Sequence, residues 1–215
     1  MTLVYIPIKE HSQRVPHKNF RMLGGEPLWE RAVKKFASEF SVYVDTDSME
    51  IGDKCENMNN VTAFYRPVTL QGDDVSVCNL IRNFIKTYDI DDVICQLHVT
   101  SPFLELSTIE NAFRNMRLND SVVACDRIQA RFWREEGYGY CPVNHNPVIL
   151  EQTQDLPVYY QENSAFYIFD AKQFLQTNMR VGLHPYFYVV GFPENVDIDN
   201  EEDWSLCNVL HKLYL

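Results

Sequence analysis

Leu3-Val4-Tyr5-Ile6-Pro7-Ile8 is an uncharged apolar run that passes directly into Lys9-Glu10-His11-Ser12-Gln13-Arg14-Val15-Pro16-His17-Lys18-Asn19. The first part predicts a short buried β-strand and the second a polar loop. Beyond it, Trp29, Ala32, Val33, Phe36 and Phe40 fall at helical spacing, which predicts an amphipathic helix. Strand, cation-rich loop and helix in that order are the opening of an α/β fold, and loops at strand ends in such folds are where ligands bind.

The pattern continues outward. Ser41 to Val44 predicts a strand that ends in Asp45-Thr46-Asp47, and Val61 to Tyr65 predicts another, closed by Arg66-Pro67. Val77, Leu80, Ile81, Phe84, Ile85 and Tyr88 predict a helix starting near Val75 with Asp74 as its cap. Val93 to Leu97 is a buried strand, and Ser107-Thr108-Ile109-Glu110 reads as a capping box before Ile109, Ala112, Phe113 and Met116. Ser121 to Ala124 resumes the strand pattern. The alternation predicts a mostly parallel twisted sheet with helices on both faces.

Between about Arg127 and Glu162 the period is lost. Phe132, Trp133, Gly137, Tyr138, Pro142, Pro147 and Pro157 predict hairpins or an arm there. Order returns with strands at Ala165 to Phe169 and Tyr186 to Val190, and with a last helix from Glu201 carrying Trp204, Cys207, Leu210 and Tyr214 on one side. No internal repeat is present, so residues 1–215 are read as one domain with 127–162 as its arm.

Composition sets limits on function. The 215 residues are 46% hydrophobic, enough for a packed core, and no apolar run approaches the roughly 20 residues of a membrane span. The six cysteines follow no C-x-x-C spacing and no signal peptide is evident, which predicts reduced thiols in a cytoplasmic protein. A net charge of −11 argues against a nucleic-acid surface. Residues 1–25 nevertheless carry Lys9, Arg14, Lys18 and Arg21 against Glu10 alone, a local surplus suited to one small anion.

The first loop mixes cations with hydroxyl and amide donors, as a triphosphate requires, because charge-assisted bonds to phosphate are about twice as strong as neutral ones. Neither G-x-x-x-x-G-K-[ST] nor a G-x-G-x-x-G after the first strand is present. Near the other end, Asn195-Val196-Asp197-Ile198-Asp199 places two carboxylates on one side of an extended segment and Ile198 on the other. Such a pair can hold Mg²⁺ beside a phosphate. Glu201, Glu202 and Asp203 simply suit a helix N-terminus. Asp45 and Asp47 form a rival pair, similar to the metal-binding D-x-D of nucleotide-sugar glycosyltransferases. His98, at the end of the fourth strand, is read as a further nucleotide contact, against the plainer reading of a structural histidine.

Taken in order, these blocks resemble the acylneuraminate cytidylyltransferase family. The resemblance rests on Ile6-Pro7 through Ser12 to Asn19, Leu23-Gly24-Gly25-Glu26-Pro27-Leu28, Val44 to Asp47, Arg66-Pro67, Thr100-Ser101-Pro102 and Ser121-Val122-Val123. It continues through Asn163-Ser164-Ala165-Phe166-Tyr167 and Asp197-Ile198-Asp199. It implies a Rossmann-like nucleotidyltransferase whose arm is exchanged in a homodimer, and transfer of a cytidylyl group from CTP to a 2-keto-3-deoxy sugar acid. By this resemblance Arg14 and Lys18 neutralise developing charge, Lys9, Ser12, Asn19 and Arg66 contact the nucleotide, and Asp197 and Asp199 hold Mg²⁺. Asn163, with Arg131 and Trp133 of the arm, is expected at the sugar acid. The sequence departs from the family pattern at Lys9, which stands for an arginine, at His17 for a glycine and at His98 for a glutamine, and Gln129-Ala130-Arg131-Phe132-Trp133 departs from the sialic-acid branch. Lys9 and His98 motivate a second expectation, a nucleotide-binding protein without turnover, and the Asp45 and Asp47 pair motivates a third, a nucleotide-sugar glycosyltransferase.

Overall fold

The computed structural model describes residues 3–214. Its strands are β1 (Leu3–Ile8), β2 (Met22–Leu23), β3 (Glu26–Pro27), β4 (Ser41–Thr46), β5 (Val61–Tyr65), β6 (Val93–Leu97), β7 (Ser121–Ile128), β8 (Trp133–Glu136), β9 (Gly139–Pro142), β10 (Tyr159–Asp170) and β11 (Pro185–Val189). Its helices are α1 (Leu28–Ala37), α2 (Met49–Cys55), α3 (Val77–Tyr88), α4 (Leu106–Phe113), α5 (Ala171–Thr177) and α6 (Glu201–Tyr214). Seven strands form one sheet in the order β11-β7-β10-β6-β1-β4-β5. The pairings of β1 with β4 and β6, of β4 with β5 and of β11 with β7 are parallel; β10 alone runs antiparallel to its neighbours.

Both faces of the central strands are buried, which is why β1 reads as an unbroken apolar run. Val4, Ile6 and Ile8 pack with Trp29, Val33 and Phe36 of α1 and Ile109 of α4, whereas Leu3 and Tyr5 pack on the other face with Leu80, Ile81 and Phe84 of α3. A third cluster joins Leu23, Leu28 and Phe103 to Ile198 and to Trp204, Cys207 and Leu210 of α6. That cluster docks the last helix beside the first loop. No helix is long and apolar enough to cross a membrane among the described residues. All six cysteines are free, and Cys55, Cys95, Cys125 and Cys207 serve as small core residues.

Several local expectations are corrected. The cap of α3 is Ser76, not Asp74: Ser76 has extended backbone and its Oγ accepts from Cys78 N at 3.2 Å. Ser107 to Glu110 lie inside α4 and form no capping box, because Glu105 occupies the cap position and its amide donates to the distant Glu194 carboxylate at 2.9 Å. The arm is more regular than expected. β7 runs on to Ile128 and β10 begins at Tyr159, so the two pair well beyond the sheet, and β8 and β9 form a hairpin. The residues of β8 and β9 are exposed, so no buried face imposes an alternation on them. The seven-residue helices α2 and α5 were not anticipated.

The turn between β2 and β3 is closed by α6. Gly24 has φ +64°, and a Cβ there would lie 1.9 Å from His211 Nε2. Gly24→Ala is therefore expected to destabilise the protein by roughly 1–3 kcal/mol, through left-handed strain and overpacking. Denaturant midpoints read this, and His211→Ala in the same background recovers part of the loss. An unchanged midpoint in Gly24→Ala would show that α6 does not press on the turn.

Candidate active site

The carboxyl ends of β1, β4, β5 and β6 open on one side of the sheet, and a cleft of about 410 Å³ lies there. Lys9, Ser12, Gln13, Arg14, Lys18 and Asn19 of the first loop line it, with Arg66 after β5, and His98 and Thr100 after β6. Val75, Val77 and Leu80, at the start of α3, add an apolar wall.

The cations of the loop and the late carboxylates meet. Lys18 Nζ donates to the Ile198 carbonyl at 2.6 Å, and Arg14 Nη2 lies 2.6 Å from Asp199 Oδ1. As expected, Ile198 is buried in the core, while Asp197 and Asp199 on either side of it are only partly buried. The rest of the acidic run starts α6: Asn200 Oδ1 accepts from the amides of Glu202 and Asp203, and Asp203 Oδ2 accepts from those of Asp199 and Asn200. Burial pushes the Lys18 ammonium below the usual lysine value even though Asp197 and Asp199 favour its charge. Burial likewise raises Asp197, aided by the charge of Asp199 and opposed by a hydrogen bond from Thr100.

Lys9 Nζ is tied to the Gly72 carbonyl at 2.9 Å and to Asp73, whose other oxygen accepts from Gln13 Nε2 at 2.7 Å. A strap from the β5–α3 connection thus closes one end of the cleft, a contact that no local sequence signal announced. Asn19 Nδ2 donates to the Lys9 carbonyl at 2.7 Å, so Asn19 shapes the loop as well as lining it. His17, the residue standing where the family has glycine, has φ +52°, the left-handed conformation that explains the glycine.

The rival carboxylate pair is not available to a metal. Asp45 is fully buried, with Arg66 Nε at 2.9 Å and Tyr5 Oη at 2.6 Å on its two oxygens, and Asp47 Oδ1 accepts from the Glu10 amide at 2.7 Å. The pair anchors Arg66, which corrects the glycosyltransferase expectation for Asp45 and Asp47. Arg66 is 2% exposed at the cleft wall, and its buried Nη1 makes no hydrogen bond but lies 3.9 Å from Asp47 Oδ2.

Asn163 stands at a bulge of β10, where Ser164 has φ +61°. Its Nδ2 approaches Asp126 Oδ1 at 3.4 Å, and Asn195 Nδ2 donates to the same oxygen at 2.9 Å. Sequence reasoning missed Asp126 and Asn195, which lie far from each other in the chain. Arg131 and Trp133 are not brought to the cleft of their own chain. Arg131 bonds the Glu151 carbonyl, and Trp133 packs edge-on against His145 in the arm. Among the described residues no group of three or more histidine, cysteine or acidic side chains is arranged to hold a metal.

A cytidylyltransferase family profile matches residues 3–213. The chain belongs to the cytidylyltransferase family. It is 31% identical over 205 residues to N-acylneuraminate cytidylyltransferase A of Danio rerio, covering 91% of this chain and 47% of that protein, so it spans about half of that relative's length. It is 28% identical to the CMP-N,N'-diacetyllegionaminic acid synthase of Legionella pneumophila, with 98% of this chain and 96% of the relative aligned. Among solved structures, CMP:2-keto-3-deoxy-manno-octonic acid synthetase complexed with CTP superposes over the whole of both chains at TM-score 0.69 and 13% identity. A 4-diphosphocytidyl-2C-methyl-D-erythritol synthase gives 0.69 at 11% identity, and both likenesses are of fold.

The lowered Lys18 value has a consequence for a cytidylyltransferase. Its charge is lost as pH rises through a value below that of an ordinary lysine. kcat/KM for CTP is expected to fall on an alkaline limb that Lys18→Arg abolishes, because guanidinium stays charged. Persistence of the same limb in Lys18→Arg would assign it to another group.

Proposed function

We propose that this protein transfers the cytidylyl group of CTP to a nonulosonic-type, 2-keto-3-deoxy sugar acid, giving a CMP-sugar and pyrophosphate. The observation that carries this reading is that Arg14 and Lys18, which line the cleft, reach the late acidic segment, Arg14 through an ion pair to Asp199 and Lys18 through the Ile198 carbonyl. The names of the Danio rerio and Legionella pneumophila relatives support the acceptor class.

In this reading the oxygen of the acceptor hydroxyl forms a bond to the α-phosphorus, the α–β bridging bond breaks, pyrophosphate leaves, and the hydroxyl proton passes to water. Such a transfer asks the protein mainly for in-line placement and facing positive charge. Arg14, Lys18 and Arg66 supply the charge, and Val75, Val77 and Leu80 supply an apolar surface for the base. Asn163, beside Asp126 and Asn195, fits hydroxyl groups of the acceptor.

Asp197 and Asp199, the two carboxylates that flank Ile198, suit a magnesium ion by type, since Mg²⁺ takes one or two carboxylates and completes its shell with phosphate oxygens and water. When bound, Mg²⁺ would polarise the α-phosphate and offset charge on the leaving pyrophosphate. Before ligand arrives, Arg14 neutralises Asp199, so the triphosphate replaces one partner for Arg14 with another.

The arm supports an exchanged homodimer: Trp133, Tyr138, Tyr140, Val148, Leu150 and Tyr160 are all exposed on it. In such a dimer Arg131 and Trp133 serve the other subunit's acceptor.

The test is pyrophosphate release from CTP, ATP, GTP and UTP against sialic, legionaminic, pseudaminic and 3-deoxyoctulosonic acids, with Mg²⁺ and with chelator. Release from CTP with at least one acid is expected, falling by about 100-fold or more in folded Lys18→Ala and Asp199→Ala variants. Binding of CTP without release from any pair would leave a nucleotide-binding protein instead. Undiminished release in chelator would remove the magnesium.

A further inference from the structure

Gln96, in β6, is fully buried and both ends of its amide are engaged. Its Oε1 accepts from Arg180 Nη1 at 2.9 Å, and its Nε2 lies 2.5 Å from His98 Nε2. Arginine has donors only, so turning the amide round would set its NH₂ against the guanidinium. The end facing His98 is therefore the donor, and His98 Nε2 must accept. In a neutral imidazole with an accepting Nε2 the proton resides on Nδ1. That atom has no hydrogen-bond partner among the described residues, and His98 lines the cleft.

Arg180 is itself held in place. Its guanidinium carbon stacks 3.8 Å from the centre of the Tyr167 ring, and Tyr167 Oη donates to Glu162 Oε2 at 2.7 Å. No ion pair to a carboxylate engages Arg180 among the described residues, so the Gln96 carbonyl is its one hydrogen-bond acceptor. Glutamine thus converts a cation on one side into a defined proton position on the other.

We propose that Arg180 and Gln96 form a relay that fixes His98 as its Nδ1–H tautomer, so that position 98 presents a neutral donor to an anionic oxygen of the bound substrate. The ligand half of this inference rests on the cytidylyl-transfer reading above; the relay itself does not. The charged groups that act on the ring are Arg180 and Lys18, which disfavour its protonation, and Asp199, which favours it. Burial with the two cations prevails and brings the imidazole down to about 4. Arg180 and Gln96 are positioning residues, and His98 is the group that meets the ligand. The oxygen belongs to a phosphate or to the acceptor's carboxylate, which are alike as hydrogen-bond acceptors.

Nitrogen-15 NMR of the full chain labelled at histidine reads the tautomer directly. In the ligand-free protein at neutral pH, His98 is expected to show a protonated Nδ1 and a bare Nε2. Gln96→Glu makes position 96 an acceptor and is expected to move the proton to Nε2 or to protonate both nitrogens. Arg180→Met, at a half-buried position, frees the amide to turn and is expected to give mixed tautomers, with kcat/KM falling about tenfold or more. A proton on Nε2 in the unsubstituted protein overturns the relay, as does a pure Nδ1–H form in both variants. A shift of Nδ1 on adding CTP with Mg²⁺ assigns the oxygen to the triphosphate. A shift only when one of the four sugar acids is added assigns it to the carboxylate, and no shift in either case overturns the ligand contact. The ligand-free spectra need no turnover, so failure of the relay and failure of cytidylyl transfer remain distinguishable.

Discussion

The structure depends on one contact, the Lys18 ammonium against the Ile198 carbonyl at 2.6 Å, made between residues 180 positions apart. A buried ammonium costs several kcal/mol unless its donors are met, and here a carbonyl and the field of Asp197 and Asp199 meet them. The contact holds only because Ile198 is packed among Trp204, Cys207 and Leu210 of α6 and Leu23, Leu28 and Phe103. Apolar burial therefore sets the position of the carboxylates, and the carboxylates in turn allow a cation to remain in a half-closed cleft. The net charge of −11 and the cationic first loop are two aspects of one arrangement, in which positive groups cluster where an anion is to be received.

Much of this was legible in the sequence because the responsible signals are local. The strands at Leu3–Ile8, Val61–Tyr65 and Val93–Leu97 stand where the apolar runs predict them, and α6 begins at Glu201 as expected. The cleft residues could be found because parallel strands deliver their following loops to one edge, so Arg14, Lys18, Arg66 and His98 share a wall by topology. The Asp197–Asp199 pair was visible because alternation along an extended segment fixes which side chains share a side.

What escaped the sequence depends on distant partners or on short length. α2 and α5 each span seven residues, too few for a helical period to emerge. The α4 cap failed because Glu194, far along the chain, takes the Glu105 amide. Asp45 looked like half of a metal site and is instead the buried anchor of Arg66, a distinction set wholly by Tyr5 and Arg66 crossing the sheet to reach it. Asp73 gave no signal at all, since its role is defined by Lys9 and Gln13 some sixty positions away. His17 shows the opposite case: a departure from the family's glycine in which the backbone keeps the conformation that a glycine adopts freely.

The chain order of the cleft has a consequence for biosynthesis. All seven strands of the main sheet lie before residue 190, whereas Asp197, Asp199 and the helix that seats them follow it. A ribosome therefore releases every strand before it releases the acidic partners of the first loop. The nascent polypeptide can assemble its scaffold while Lys18 still lacks the carbonyl that receives it.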